Sequence, residues 1–195
     1  MFKLLQQVAR VGLCTEAPPA DAGALEPAAT RVHADILAVL GRALTIRQVD
    51  AGSCNGCELE IHALNNPYYN LEGRGIRFVA SPRHADMLLV TGPVARNMAL
   101  ALRRTYEATP APKLVVAVGD CGCTGGIFGA GYASCGAVAG VIPVDVAIPG
   151  CPPPPLEILR GILVATRRLA APARAAGSAA LGAAGEAAVA AGRRS

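Results

Sequence analysis

Cys54 and Cys57 are separated by two residues, and Cys121 and Cys151 follow far along the chain, each in a turn rich in glycine or proline. The three segments read Asp50-Ala51-Gly52-Ser53-Cys54-Asn55-Gly56-Cys57-Glu58, Gly119-Asp120-Cys121-Gly122-Cys123-Thr124-Gly125-Gly126 and Pro149-Gly150-Cys151-Pro152-Pro153-Pro154-Pro155. A 4Fe-4S cubane needs four thiolates converging on one cavity, and short loops at the ends of neighbouring strands can supply them without proximity in sequence. Cys54 and Cys57 would give two ligands from one turn, and Cys121 and Cys151 would close the site from two later loops. Glycine lets backbone amides approach cluster sulfides closely, and the proline run leaves few competing amides around Cys151.

Each residue also has a plainer reading. Cys54-x2-Cys57 alone suits a thioredoxin-like redox pair or half of a zinc site. Zinc fits the whole set less well, because closed four-thiolate sites take their ligands as two compact pairs, whereas Cys121 and Cys151 stand far apart. A redox pair would need neither later loop. Cys123 lies two residues from Cys121, so on spacing alone either thiol reaches the cavity. Cys14 and Cys135 read as space-filling or near-surface residues. His33 and His62 read as ordinary helical histidines, and His84 belongs to a polar loop that is either a docking surface or a plain turn. Glu58 and Glu60 suit a helix start, where carboxylates complement the dipole; proton handling beside a redox centre is their other reading.

The elements that must carry these loops follow from the apolar patterning. Positions Val32, Ile36, Val39, Leu40 and Leu44 predict a helix over Glu26 to Leu44, leading into a strand Thr45 to Val49. A helix is expected after Cys57 through Leu64, stopped by Asn65-Asn66-Pro67, then strands Ile76 to Ala80 and Met87 to Thr91 around the loop Ser81 to His84. Gly92-Pro93 should open a helix to about Tyr106, followed by strands Lys113 to Val118 and Asp145 to Ile148 and a helix Leu156 to Leu169. Alternating strands and helices with near-continuous apolar strands imply a flavodoxin-like α/β fold: a mostly parallel sheet, helices on both faces, and the cysteine loops at the carboxyl ends of strands. Residues 1–25 read as an N-terminal arm, 26–169 as the α/β domain that would bind the cluster, and 170–195 as an Ala/Gly-rich low-complexity tail.

The bulk composition narrows the function classes. A chain of 195 residues with 52% hydrophobic content can bury one well-packed core. Seven cysteines, an odd number, cannot all pair, and with no recognisable export signal they point to a reducing compartment and to metal or redox work. No run of about 20 strongly apolar residues is present, so the chain is not expected to span a bilayer by itself. The net charge of +4 is dispersed and there is no tryptophan, so nucleic acid is not an expected partner.

Four ordered segments carry a resemblance: Cys54-Asn55-Gly56-Cys57-Glu58-Leu59-Glu60, Ser81-Pro82-Arg83-His84-Ala85-Asp86, Thr124-Gly125-Gly126-Ile127-Phe128, and Ile142-Pro143-Val144-Asp145-Val146 through Gly150-Cys151-Pro152-Pro153. Over about residues 40–169 the chain resembles the small, iron-sulfur subunit of membrane-associated nickel-iron hydrogenases of the formate hydrogenlyase and energy-converting type, itself similar to the 20 kDa subunit family of complex I. The resemblance implies one proximal 4Fe-4S cluster on Cys54, Cys57, Cys121 and Cys151. It puts the third ligand on Cys121 rather than Cys123, by its spacing to Gly125-Gly126. It also implies an electron relay in an oxidoreductase, with a nickel-iron large subunit, a ferredoxin-like iron-sulfur subunit and membrane-embedded subunits as partners. The 20 kDa proteins of complex I carry two adjacent cysteines at the first ligand position, whereas two residues intervene here, which favours the hydrogenase branch over quinone reduction. The absence of a twin-arginine leader and of a further cysteine-rich domain implies a single cluster and a peripheral place on the cytoplasmic face of the inner membrane. A zinc-binding assembly module is the alternative of a different class.

Overall fold

A computed structural model describes residues 42–168, together with Gln6 and Arg10. The expected arm apart from those two residues, the expected tail, and positions 26–41 of the first expected helix lie outside the described residues, as do Cys14 and His33. Leu44, expected to end that helix, instead begins a strand.

Strand β1 (Leu44–Asp50) leads to helix α1 (Gly56–Ala63), β2 (Ile76–Phe78), β3 (Met87–Thr91), α2 (Arg96–Ala108), β4 (Leu114–Val118), α3 (Gly119–Thr124), β5 (Val146–Ile148) and α4, over residues 155–168. The five strands are all parallel, in the order β2-β1-β3-β4-β5, which is the flavodoxin-like doubly wound arrangement. β3 and β4 have every residue buried, because helices cover each face and leave no polar side to the sequences MLLVT and LVVAV.

Alternate residues feed two cores. Leu44, Ile46, Met87, Leu89, Val116 and Val118 pack against Ile61 of α1, Leu64 at its C-terminal cap, and Ile158 and Ile162 of α4. Val49, Leu88, Val90, Val115 and Ala117 pack on the opposite face against Leu102 of α2, with Val138 and Ile142. Leu102 is the one fully buried residue of α2, and Ala99 and Tyr106 of the same helix are partly buried against this core. Lys113 stops the helix by donating from Nζ to the carbonyls of Tyr106 and Thr109 at 2.5 and 2.9 Å, which satisfies acceptors at the helix end.

Carboxylates fix the strand starts. Buried Asp86 accepts from Thr45 N–H at 3.0 Å, Thr45 Oγ1 at 2.7 Å and the Arg42 guanidinium at 2.5 and 3.1 Å, which joins the entries of β1 and β3. Asp145 N–H donates to Val115 O at 2.9 Å while Val115 N–H donates to the Asp145 carboxylate at 2.7 Å, which joins the entries of β4 and β5.

Several expected boundaries move: β1 runs one residue further at each end, and β4 and β5 each begin one residue later than expected. β2 ends at Phe78 rather than Ala80: Val79 N–H still donates to Ile46 O, after which Pro82–His84 winds into a 3-10 turn. α2 begins at Arg96 rather than at Gly92-Pro93, because Val94 is engaged by Gly136 O and Cys135 N–H. The stretch expected as a loop around Cys121 is the short helix α3, entered directly from β4.

Candidate metal centre

The segments after β1, β4 and β5 emerge at the carboxyl edge of the sheet, where open α/β folds place their ligands. Asp50 shapes the first by accepting from Gly52 and Ser53 N–H at 3.0 Å each, and α1 then starts so that Cys57 points inward. Cys57 is 8% exposed, whereas Cys54 and Cys151 are exposed and Cys121 is half-buried.

Glycine positions show how closely these segments pack. A Cβ added at Gly119 would lie 2.5 Å from Cys57 Sγ and 3.4 Å from Gly150 O. One added at Gly126 would lie 2.7 Å from Cys121 Sγ, and one at Gly56 would lie 3.6 Å from Cys54 Sγ and 3.8 Å from Pro152. Two of the sulfurs therefore sit against backbone that admits no side chain. The α3 segment and the β5 loop are also joined directly: Asp120 N–H donates to Gly150 O at 2.8 Å, and Gly150 N–H donates to Asp120 Oδ1 at 2.8 Å.

Burial pushes the Cys57 thiol up to about 12, and negative charge on Glu58, Cys54, Cys121 and Cys151 adds to the rise. Burial likewise pushes the Cys121 thiol up, followed by Cys151, Cys54 and Asp120. Cys54, Cys121 and Cys151 thus all lie close enough to Cys57 to oppose its ionisation, and Cys151 and Cys54 do the same to Cys121. Such a set suits a cationic iron-sulfur core, because metal coordination deprotonates thiols outright. Among the described residues, no three Cys, His, Asp or Glu side chains are gathered closely enough to hold a single metal ion. A cubane binds its four thiolates at four separate irons, whereas one zinc draws them to about 2.3 Å of a single point.

Cys123 goes elsewhere. Its Sγ donates to Ala117 O at 3.7 Å and packs against the second core, that of Val49, Leu88 and Val115. Residues two apart on a helix do not share a face, so α3 separates the thiols that a loop could have presented together. Cys135 also packs against that core. His62 and His84 are exposed. Glu58, expected at the helix start, stands in the first turn of α1 but is 4% exposed, and neither carboxylate oxygen has a partner among the described residues. Sequence reasoning missed that burial, and it missed the Asp120–Gly150 pair. An Asp beside a glycine turn was the only available hint of the pair, since the partner lies 30 residues on.

This is a flavodoxin-like α/β protein with a thiol-bearing carboxyl edge. Residues 54–165 match the family described as the NADH ubiquinone oxidoreductase 20 Kd subunit, and the chain belongs to that family. It is 44% identical over 137 residues to the probable membrane-bound hydrogenase subunit mbhJ of Pyrococcus furiosus, spanning 70% of this chain and 82% of that protein. It is 44% identical to formate hydrogenlyase subunit 7 of Escherichia coli over 69% of this chain and 52% of that one. It is 43% identical to an NADH-quinone oxidoreductase subunit of Desulfovibrio desulfuricans over 63% and 66%.

Among solved structures, an archaeal membrane-bound sulfane sulfur reductase superposes with TM-score 0.57 at 36% identity, over 66% of this chain and 71% of that one. An NAD+-reducing [NiFe]-hydrogenase shares the fold with TM-score 0.50 at 20% identity, over 63% and 92%. The protein is thus an electron-transfer subunit of the hydrogenase and complex I-like oxidoreductases, in a family that binds iron-sulfur groups, and its relatives are subunits of multisubunit complexes. Among the described residues, no helix is long and apolar enough to cross a membrane.

Proposed function

We propose that Cys54, Cys57, Cys121 and Cys151 hold one 4Fe-4S cluster, through which the chain relays electrons between a nickel-iron site on a partner large subunit and further iron-sulfur subunits of a hydrogenase complex. The observation that carries this reading is the meeting of the three thiol-bearing segments at one edge of the sheet, where Gly119 packs on Cys57 Sγ and Gly150 O and Gly56 on Cys54 Sγ and Pro152, with Cys123 turned into the opposite core. When bound, the cluster supplies a one-electron redox centre. The chain's own residues hold the thiols apart, crowd the sulfurs with backbone at Gly119 and Gly126, and exclude water from Cys57.

Ile127, Phe128 and Tyr132, on the segment after α3, are 94%, 58% and 98% exposed. Large apolar side chains this exposed beside a redox edge favour a chain that works covered by partners: the large subunit, a ferredoxin-like subunit and membrane-embedded subunits, on the cytoplasmic face of the inner membrane. The same proposal takes residues 26–169 as the cluster-bearing domain, with 1–25 as an arm and 170–195 as a tail. The 43% identity to an NADH-quinone oxidoreductase subunit favours a second reading, electron delivery to quinone in a complex I-like assembly. Nickel in the co-purified complex separates the two.

The direct experiment is anaerobic purification with co-purifying partners, iron and acid-labile sulfide analysis, and electron paramagnetic resonance after reduction. About four irons per chain and a signal lost in Cys121→Ala but kept in Cys123→Ala support the relay. Zinc without sulfide refutes it and leaves an assembly module.

A further inference from the structure

Among the described residues, β5 is a three-residue strand at the edge of the sheet, with β4 as its one neighbour. So short an edge strand has few ladder bonds of its own, yet it delivers Cys151. It is gripped at both ends by reciprocal carboxylate pairs of the same design. At the entry, Asp145 and Val115 exchange N–H bonds at 2.9 and 2.7 Å. At the exit, Asp120 and Gly150 exchange them at 2.8 and 2.8 Å. The exit pair stands beside the thiols, since Asp120 immediately precedes Cys121 and Gly150 immediately precedes Cys151. Both segments turn through a glycine at positive φ, Gly119 at +81° and Gly150 at +131°. The hydrogen-bonded pair is the direct tie between the two turns.

We propose that Asp120 is the positioning residue of this site: its backbone and carboxylate lock the Cys121 segment to the Cys151 loop, and its charge holds the potential of the group between them down. The proposal rests on the four-cysteine reading above. The Asp120 carboxylate is held on the Gly150 amide, one residue before Cys151, and stands one residue before Cys121, so its charge lies beside both thiol-bearing segments. A fixed negative charge disfavours an added electron, and second-sphere charge is a recognised means of tuning cluster potential.

Asp120→Asn keeps an oxygen for Gly150 N–H and removes the charge, whereas Asp120→Ala removes both. Asp145→Ala opens the pair at the other end of the same strand and serves as the comparison for general loosening. Two readouts apply: hydrogen exchange of the Gly150 amide in the metal-free full chain, and potentiometric electron paramagnetic resonance of the loaded chain with its partners. In Asp120→Ala, Gly150 should exchange about ten- to a hundredfold faster, as the loss of one charge-assisted hydrogen bond implies, and the cluster line shape should change. In Asp120→Asn, Gly150 should stay protected and the line shape should stay near wild type, with the midpoint potential shifted upward. Asp145→Ala should leave the line shape unaltered.

Unchanged Gly150 protection in Asp120→Ala, or an Asp145→Ala variant that alters the line shape as much, overturns the positioning role. An unshifted potential in Asp120→Asn overturns the charge role, and that variant decides even where Asp120→Ala does not fold. A wild-type chain without iron and sulfide refutes the cluster reading instead, while the exchange arm still judges the latch.

Discussion

Gly119→Ala paired with Gly129→Ala separates backbone strain from displacement of a sulfur. Both glycines have positive φ, +81° and +55°, so an alanine at either pays about 1–2 kcal/mol for a conformation that L side chains avoid. Only Gly119 faces an obstacle, since its new Cβ would meet Cys57 Sγ at 2.5 Å, whereas nothing lies within 4 Å of a Cβ at Gly129. Ordinary contact begins at 3.4 Å, so the sulfur must retreat by about 1 Å, beyond the roughly 0.5 Å within which a functional site must be held. Rotation of Cys57 relieves the overlap cheaply, and it is that rotation which moves the thiol out of position.

Urea denaturation of the two metal-free variants should therefore give similar losses, about 1–2 kcal/mol each. Iron analysis after identical anaerobic loading should differ: Gly129→Ala retains the wild-type content and Gly119→Ala loses most of it. Equal iron in both variants would refute the idea that Cys57 Sγ occupies a fixed place against Gly119. A much larger stability loss in Gly119→Ala, with iron retained, would mean that backbone gives way instead of the side chain.

The folded Cys57 thiol sits above its ordinary value of 9.0, so the fold favours the neutral form. Its contribution to the metal-free chain is fully present below pH 9.0 and is lost as pH rises toward about 12, which urea midpoints across that window should show and Cys57→Ala should flatten. Asp86→Ala should cost about 1–3 kcal/mol because it strips partners from Thr45 at a buried strand entry. Arg42→Ala should cost under about 1 kcal/mol because that side chain is 59% exposed, and equal losses would contradict the assignment. Leu102→Ala, which empties the one buried position of α2, should cost about 2–5 kcal/mol in denaturation and leave iron content unchanged.

Met87–Thr91 was legible in the sequence because a strand covered on both faces must be apolar throughout, and β3 falls on that run without a shift. The ends of β2 and β5 were less legible: each is set by the residue at which its neighbour stops pairing, which no local pattern encodes. Gly119-Asp120-Cys121-Gly122-Cys123-Thr124 carries no helical signal, with two glycines among six residues. It winds because β4 feeds it directly and Gly125 N–H closes on Cys121 O at 2.9 Å. The four thiol-bearing positions were visible by type and by their turns, but the diverging directions of Cys121 and Cys123 depend on that unforeseen helix. The burial of Glu58 was hidden for a similar reason, since the helix start was readable and the surface packed over it was not.

The order of strands across the sheet also sets a timetable. Cys54 leaves β1 and Cys151 leaves β5, among the described residues the last strand to be synthesised and one docked on β4 alone. At about 5–20 residues per second, on the order of 5–20 s pass between the emergence of Cys54 and that of Cys151 from the ribosome. Through that interval the nascent chain exposes an incomplete thiol set, led by Cys54 and Cys57, which have each other as the nearest oxidation partner. Any group that needs all four thiols can therefore be completed only after Cys151, at the end of β5, has emerged.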